Sequence, residues 1–216
     1  MSPFSCLQET PHWIALYKPA GIGIHSEDGE PGFVAQAAEQ LGAGLWPVHR
    51  LDKVTSGILL LAKDKTTAAE LSRQFAERKV QKWYLARSAR KPSKKQGWIK
   101  GDMLKARNGS WKLARSLENP AITRFISEAA APSGRLYLLK PLTGKTHQLR
   151  VAMKSLGAPI DGDTRYGGDV AERTFLHAYA LSFEDQGQMT ELLCPPADEG
   201  WPALPDAWQA PAWVLG

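Results

Sequence analysis

Apolar positions along this 216-residue chain come in short blocks, separated by Gly, Pro and charged residues. Residues 13–17 read as a strand that ends at Lys18-Pro19, and Gly21, Gly23 and Gly29 mark a loop behind it. Over 33–41, Val34, Ala37, Ala38 and Leu41 recur at helical spacing, with Gly42 as a stop. Residues 57–62 are apolar without alternation, which suits a strand covered on both faces. A helix is expected over 65–78, with Ala68, Leu71 and Phe75 on one face and Asp64 as N-cap. Strands are expected at 80–88, 98–104, 111–114, 121–126 and 135–140, with a flexible Lys-, Ser- and Gly-containing loop over 90–96. Residues 147–156 read as a helix with Leu149, Ala152, Met153 and Leu156 as its buried stripe and Gly157 as its stop. A late hairpin over 176–183 and 189–194 follows, and the Pro- and Trp-rich tail, 195–216, is expected to pack as turns.

Strands outnumber helices and no regular βα alternation appears. The expected class is therefore α+β, with a mixed, mostly antiparallel sheet. The length fits one large domain or two small ones. Hydrophobic content of 43% and charged content of 23% are ordinary for a globular chain. No apolar run approaches the ~20 residues of a membrane-spanning helix. The first residues lack a basic region followed by a long apolar core, so no signal segment is expected. Cys6 and Cys194 lie far apart and read as two free thiols in a reducing cytoplasm.

The net charge of +5 hides an uneven distribution. Between Arg73 and Arg115 there are fourteen Lys or Arg against two acids, and from Ser182 onward there are six acids and no Lys or Arg. Such asymmetry suggests one face meant for a polyanion. Trp83, Trp98 and Trp111 are interleaved with these charges. They could stack on unpaired bases or serve as core residues of strands.

The segment His49-Arg50-Leu51-Asp52-Lys53-Val54-Thr55-Ser56-Gly57 sets a carboxylate at the mouth of the buried strand. An Asp there needs a guanidinium or backbone N–H groups as partners. Held in that way it is a nucleophile or base; alternatively, it caps a turn and pairs with Arg50.

This segment resembles the His-Arg-Leu-Asp signature of pseudouridine synthases of the RluA type. Leu142-Thr143-Gly144-Lys145-Thr146-His147-Gln148-Leu149-Arg150-Val151 is similar to the family's second signature. Its continuation Gly157-Ala158-Pro159-Ile160-Asp161-Gly162-Asp163-Thr164-Arg165-Tyr166-Gly167 fits as well. Tyr17-Lys18-Pro19-Ala20-Gly21, Lys82-Trp83-Tyr84-Leu85-Ala86 and Leu176-His177-Ala178 agree in order, so the resemblance covers roughly 13–195.

The resemblance implies a single catalytic domain over 1–216, with helices packed on the sheet and an active-site cleft, and without an N-terminal accessory RNA-binding module. It implies isomerisation of uridine to pseudouridine in ribosomal or transfer RNA, with no metal and no cofactor. Asp52 matches the family's catalytic Asp, Arg150 the Arg that pairs with it, and Tyr84 the active-site Tyr used in stacking and proton transfer. Arg50, Lys82, Lys94, Lys95, Lys100 and Lys145 are expected to contact RNA. Thr55 and Ser56 are expected to hydrogen-bond the Asp52 loop, and Gly57 to adopt a backbone angle closed to other residues. His49, His147 and His177 read as structural. Lys145 stands where relatives usually have Arg, which keeps the charge and loses the bidentate fork. A cytoplasmic monomer with no obligate protein partner is expected.

The sequence is compatible with two other readings. One is an idle RNA-binding protein on the same fold. The other is a small hydrolase using Asp52, although no second catalytic carboxylate stands out. Gly144-Lys145-Thr146 resembles the end of a P-loop, but Leu139 occupies the position that needs Gly.

Overall fold

The structure is a computed structural model that describes residues 5–131 and 134–216. Met1 to Phe4, on which the reading of the N-terminus partly depends, lie outside the described residues. In chain order the elements are β1 (Ser5–Glu9), β2 (Trp13–Lys18), α1 (Phe33–Leu41), β3 (Trp46–Pro47), β4 (Ser56–Ala62) and α2 (Lys65–Ala76). Then come β5 (Gln81–Ser88), β6 (Gln96–Lys105), β7 (Trp111–Leu113), β8 (Pro120–Ala129), β9 (Arg135–Pro141) and α3 (Gln148–Ser155). The last are β10 (Leu176–Asp185), β11 (Gln188–Leu193) and α4 (Pro211–Leu215). The class is α+β, as the strand count suggested, and every pairing described below is antiparallel.

The chain divides into two compact units. The first runs to Gln81 and includes Ala178–Pro196; the second is Lys82–His177 with Ala197–Gly216. In the first, β2 pairs with β1 and with β4, from Trp13 opposite Ala62 to Lys18 opposite Gly57. β10 and β11 form a hairpin closed by Gln186 and Gly187, both at positive φ (50° and 80°), as a two-residue turn between right-twisting strands requires. Every residue of β4 is buried, which explains its lack of alternation. Trp13, Ile58, Leu60, Leu71 and Phe183 belong to the core of this unit. α2 starts where Asp64 accepts the Thr67 N–H at 2.8 Å. It ends at Ala76, two residues short of the expected boundary, and Arg78 turns the chain with φ 61°.

In the second unit the strand order is β5-β9-β8-β6-β7. α3 lays Leu149, Ala152 and Met153, together with its C-cap Leu156, into a core with Ala86, Ile99, Phe125, Tyr137 and Leu139. Each Leu, Ile, Phe or Met side chain among them contributes roughly 1.5–3 kcal/mol when fully buried. The tail contains more than turns: a 3-10 turn at Asp206–Gln209 buries Trp208, and α4 buries Leu215. Cys6 is exposed, Cys194 is buried, and neither forms a disulfide. No helix among the described residues is long and apolar enough to cross a membrane.

Candidate active site

Asp52 sits in a turn whose backbone is held from two sides. Its carbonyl accepts the Thr55 N–H at 2.9 Å, closing the turn on itself. The next carbonyl, that of Lys53, accepts the Gly21 N–H at 2.8 Å and the Lys18 ammonium at 3.4 Å. Lys18 is fully buried, and its Nζ also donates to the carbonyls of Pro19 and Ile22, each at 2.8 Å. The Lys-Pro-Ala-Gly segment at the end of β2 therefore clasps the Asp52 turn. A buried ammonium requires such partners.

The turn has buried flanks and an open side at Arg50 and Lys53. Leu51, Thr55 and Ser56 are buried, Asp52 is partly buried and Arg50 is exposed. Thr55 supports the turn through its backbone N–H. Gly57 has φ 110°, and a Cβ there would come within 2.2 Å of the Ala178 carbonyl oxygen on β10. The position is closed to any other residue, as expected. His49 is structural: its Nε2 accepts the Leu60 N–H at 2.9 Å, and its ring stacks on Phe75 at 4.6 Å.

Tyr84 and Arg150 belong to the second unit. Tyr84 is half-buried on β5, opposite Leu139, with its ring against the α3 core. Arg150 is more enclosed than its position on the flank of the helical stripe suggested. It is 5% exposed, and it grips Asp163 in a two-pronged pair: Nε to Oδ2 at 2.7 Å and Nη2 to Oδ1 at 2.8 Å. The Tyr166 ring lies 5.0 Å from the guanidinium carbon. The Tyr166 hydroxyl accepts the Trp111 N–H at 3.1 Å and contacts His147 Nδ1 at 2.8 Å. Burial pushes that phenol above its ordinary value, so it stays neutral at physiological pH.

Gln148 fixes the start of α3. Its amide nitrogen donates to the Ile122 carbonyl and to Thr123 Oγ1, both at 3.0 Å. Its amide oxygen accepts from Thr143 Oγ1 at 2.7 Å and from the Lys145 N–H at 3.0 Å. Lys18, Gln148 and Asp163 received no role from the sequence. The available signal was that each polar residue sits inside a matched motif, among glycines or buried apolar positions.

The expected RNA-contacting lysines divide between surfaces. Lys82 lies one register step from Trp83 and shares the Tyr84 side of β5. Lys94 and Lys95 are exposed in the loop before β6, with Lys94 Nζ on the Trp98 carbonyl at 2.7 Å. Lys145 is partly buried, and its Nζ donates to Asn119 Oδ1 at 2.8 Å. Lys100 lies with Trp98 on the opposite face of the sheet from Tyr84. The expectation of a single basic face is thus corrected: strand alternation sends neighbouring cations to both sides. Trp83 is a buried core residue, whereas Trp98 is 43% exposed.

Comparison with known proteins gives this arrangement its class. Residues 12–155 match the model of the RNA pseudouridylate synthase family. A Haemophilus influenzae protein described as an uncharacterized RNA pseudouridine synthase is 52% identical over 188 residues, covering 86% of this chain and 84% of that protein. Ribosomal large subunit pseudouridine synthase C of Haemophilus ducreyi is 36% identical over 193 residues, or 82% of this chain and 60% of the relative. The Escherichia coli protein of that name is 34% identical over 212 residues, or 90% and 66%. The chain thus spans about three fifths to two thirds of those two longer relatives. The human protein RNA Pseudouridylate Synthase Domain Containing 1 superposes with a TM-score of 0.81 at 25% identity, covering 99% of this chain and 95% of that one.

The chain belongs to the RNA pseudouridylate synthase family. It is an isomerase that converts uridine in RNA to pseudouridine.

Proposed function

We propose that this protein isomerises uridines in large-subunit ribosomal RNA, with Asp52 as the catalytic carboxylate and Tyr84 and Arg150 acting on the same nucleotide. The observation that carries this reading is the clasped Asp52 turn, in which the Lys53 carbonyl beside the acid is tied to Gly21 and Lys18. A carboxylate that must meet one sugar carbon needs a backbone that does not drift. The choice of ribosomal RNA draws support from the relatives named as large-subunit synthases.

In the proposed reaction the bond between N1 of uracil and C1′ of ribose breaks. The uracil turns, and C5 bonds to C1′. The proton lost from C5 is balanced by one gained at N1, so neither oxidation nor net hydrolysis occurs. Asp52 supplies the anion for this exchange. The Tyr84 ring stacks on a nucleotide taken out of the helix, and Arg150 supplies a cation whose orientation Asp163 fixes. Arg50, Lys82, Lys94, Lys95 and Lys145 contact phosphates around the target, with Thr55, Ser56 and Gly57 supporting the loop. The same reading has both units acting as one catalytic domain, in a cytoplasmic monomer that needs no cofactor.

Mapping pseudouridines across total RNA, with and without the gene, tests the proposal. Loss of pseudouridine at one or a few large-subunit positions is the expected result. Loss confined to transfer RNA would contradict the substrate assignment.

A further inference from the structure

The sheet that carries Tyr84 has a second face with its own aromatic and cationic groups. Cross-strand register decides which residues share it. Gly97 on β6 opposes Phe125 on β8, Phe125 opposes Leu139 on β9, and Leu139 opposes Tyr84 on β5. One residue along, Trp98 opposes Arg124, and Arg124 opposes Lys140. Side chains alternate along a strand, so Trp98, Arg124 and Lys140 project away from the face that bears Tyr84 and α3. The ring contacts agree: Lys140 Nζ lies 4.9 Å from the centre of Trp83, the neighbour of Tyr84.

Trp98 is the accessible member of this row, at 43% exposure. Two cations stand at its ring, Lys100 Nζ at 5.1 Å and Arg124 Cζ at 5.7 Å. Arg124 is fixed there, because its Nη1 donates to the Leu215 carbonyl of α4 at 2.6 Å. Asp102, further along the same side of β6, has its carboxylate occupied by the N–H groups of Glu118 and Asn119 at 3.1 and 2.9 Å. An exposed indole flanked by two cations offers a base a stacking surface and a phosphate its counter-charges.

We propose that Trp98, Lys100 and Arg124 form a second RNA-binding surface, which grips an unpaired nucleotide outside the stretch that carries the target uridine. This inference rests on the RNA reading above and extends it. A nucleotide stacked on Trp98 lies across the sheet from one held at Tyr84. The surface therefore selects a long folded RNA over a short hairpin, because only the long RNA supplies both nucleotides.

The test uses the full chain with two RNAs: a whole large-subunit ribosomal RNA transcript and a minimal hairpin carrying the mapped target uridine. Trp98→Ala is expected to raise Kd and KM for the long transcript about tenfold, leaving kcat and all constants for the hairpin unchanged. Trp98→Phe keeps most of the affinity, because a ring remains. Lys100→Glu lowers the slope of log affinity against log salt by about 0.7 or more, for the long transcript alone. Unchanged binding of the long transcript by Trp98→Ala would overturn the proposal and leave the patch to a protein contact or bare surface. An equal loss on both RNAs would overturn it as well. Failure of the broader reading shows separately, as a wild-type protein that forms no pseudouridine in either RNA.

Discussion

Arg150 and Asp163 share two parallel hydrogen bonds, at 2.7 and 2.8 Å, with both side chains almost wholly out of water. A guanidinium held in that way has a fixed plane and a fixed charge. Removing one partner strips the other of its two-pronged hydrogen bonds in a buried site, and breaking a buried pair in that way typically costs about 3–5 kcal/mol. Asp163→Ala should therefore lower the unfolding free energy by an amount of that order in urea titration. Replacing both partners with apolar residues, Arg150→Met with Asp163→Leu, should recover most of that loss. The double variant should form no pseudouridine, separating the structural role of the pair from the catalytic role proposed for its cation.

Lys18 tests whether the Asp52 turn must be held rigid. Lys18→Met keeps the length of the side chain and removes the donor to the carbonyls of Pro19, Ile22 and Lys53. The Lys53 carbonyl keeps the Gly21 N–H, and the variant should lose stability by about 1–3 kcal/mol for the donor lost at the carbonyls of Pro19 and Ile22. Its single-turnover rate should fall by tenfold or more while Kd for RNA stays near wild type. An equal fall in affinity and rate would mean that the clasp serves the fold alone.

Gln148 makes four hydrogen bonds from one buried amide, joining α3 to β8 and to the loop before the helix. Gln148→Leu roughly keeps the volume and removes all four hydrogen bonds. A loss of at least about 2 kcal/mol in chemical denaturation is expected. Hydrogen exchange should show the first turn of α3 opening more readily.

Asp64 caps α2 at the surface, and its hydrogen bonds to Thr67 hold its carboxyl below the ordinary 3.8. A carboxyl lowered by folding binds its proton more readily in the unfolded chain. Its contribution is complete above pH 3.8 and fades as pH falls through the lower folded value. Asp64→Ala should melt below wild type at neutral pH, and the gap in Tm should close on acidification. A gap independent of pH down to the acid transition would contradict the capping role.

Much of this molecule was legible in its pattern of apolar positions. α1 occupies the residues its periodicity marked, and β4 is buried on both faces as its unbroken apolar run required. The misses share physical causes. β1 is mostly exposed and takes its order from pairing with β2, so no buried face announces it. The helical turns of the tail depend on Trp208 and Leu215 finding a core built by distant residues. Of the residues proposed for the chemistry, Asp52, Tyr84 and Arg150 were visible as motif members. Lys18, which holds the Asp52 turn, Asp163, which holds Arg150, and Gln148, which anchors α3, were not, because they are polar residues buried through hydrogen bonds. Hydrophobic patterning assigns such residues to the surface. Likewise, a run of positive charge does not reveal which side of a strand each lysine takes.

Whether Asp52 carries the chemistry is decided by single-turnover pseudouridine formation on the mapped RNA with Asp52→Ala, alongside RNA binding and thermal melting of the same variant. No detectable product is expected, with Kd and Tm close to wild type. A variant that still converts uridine at a measurable fraction of the wild-type rate would contradict that role.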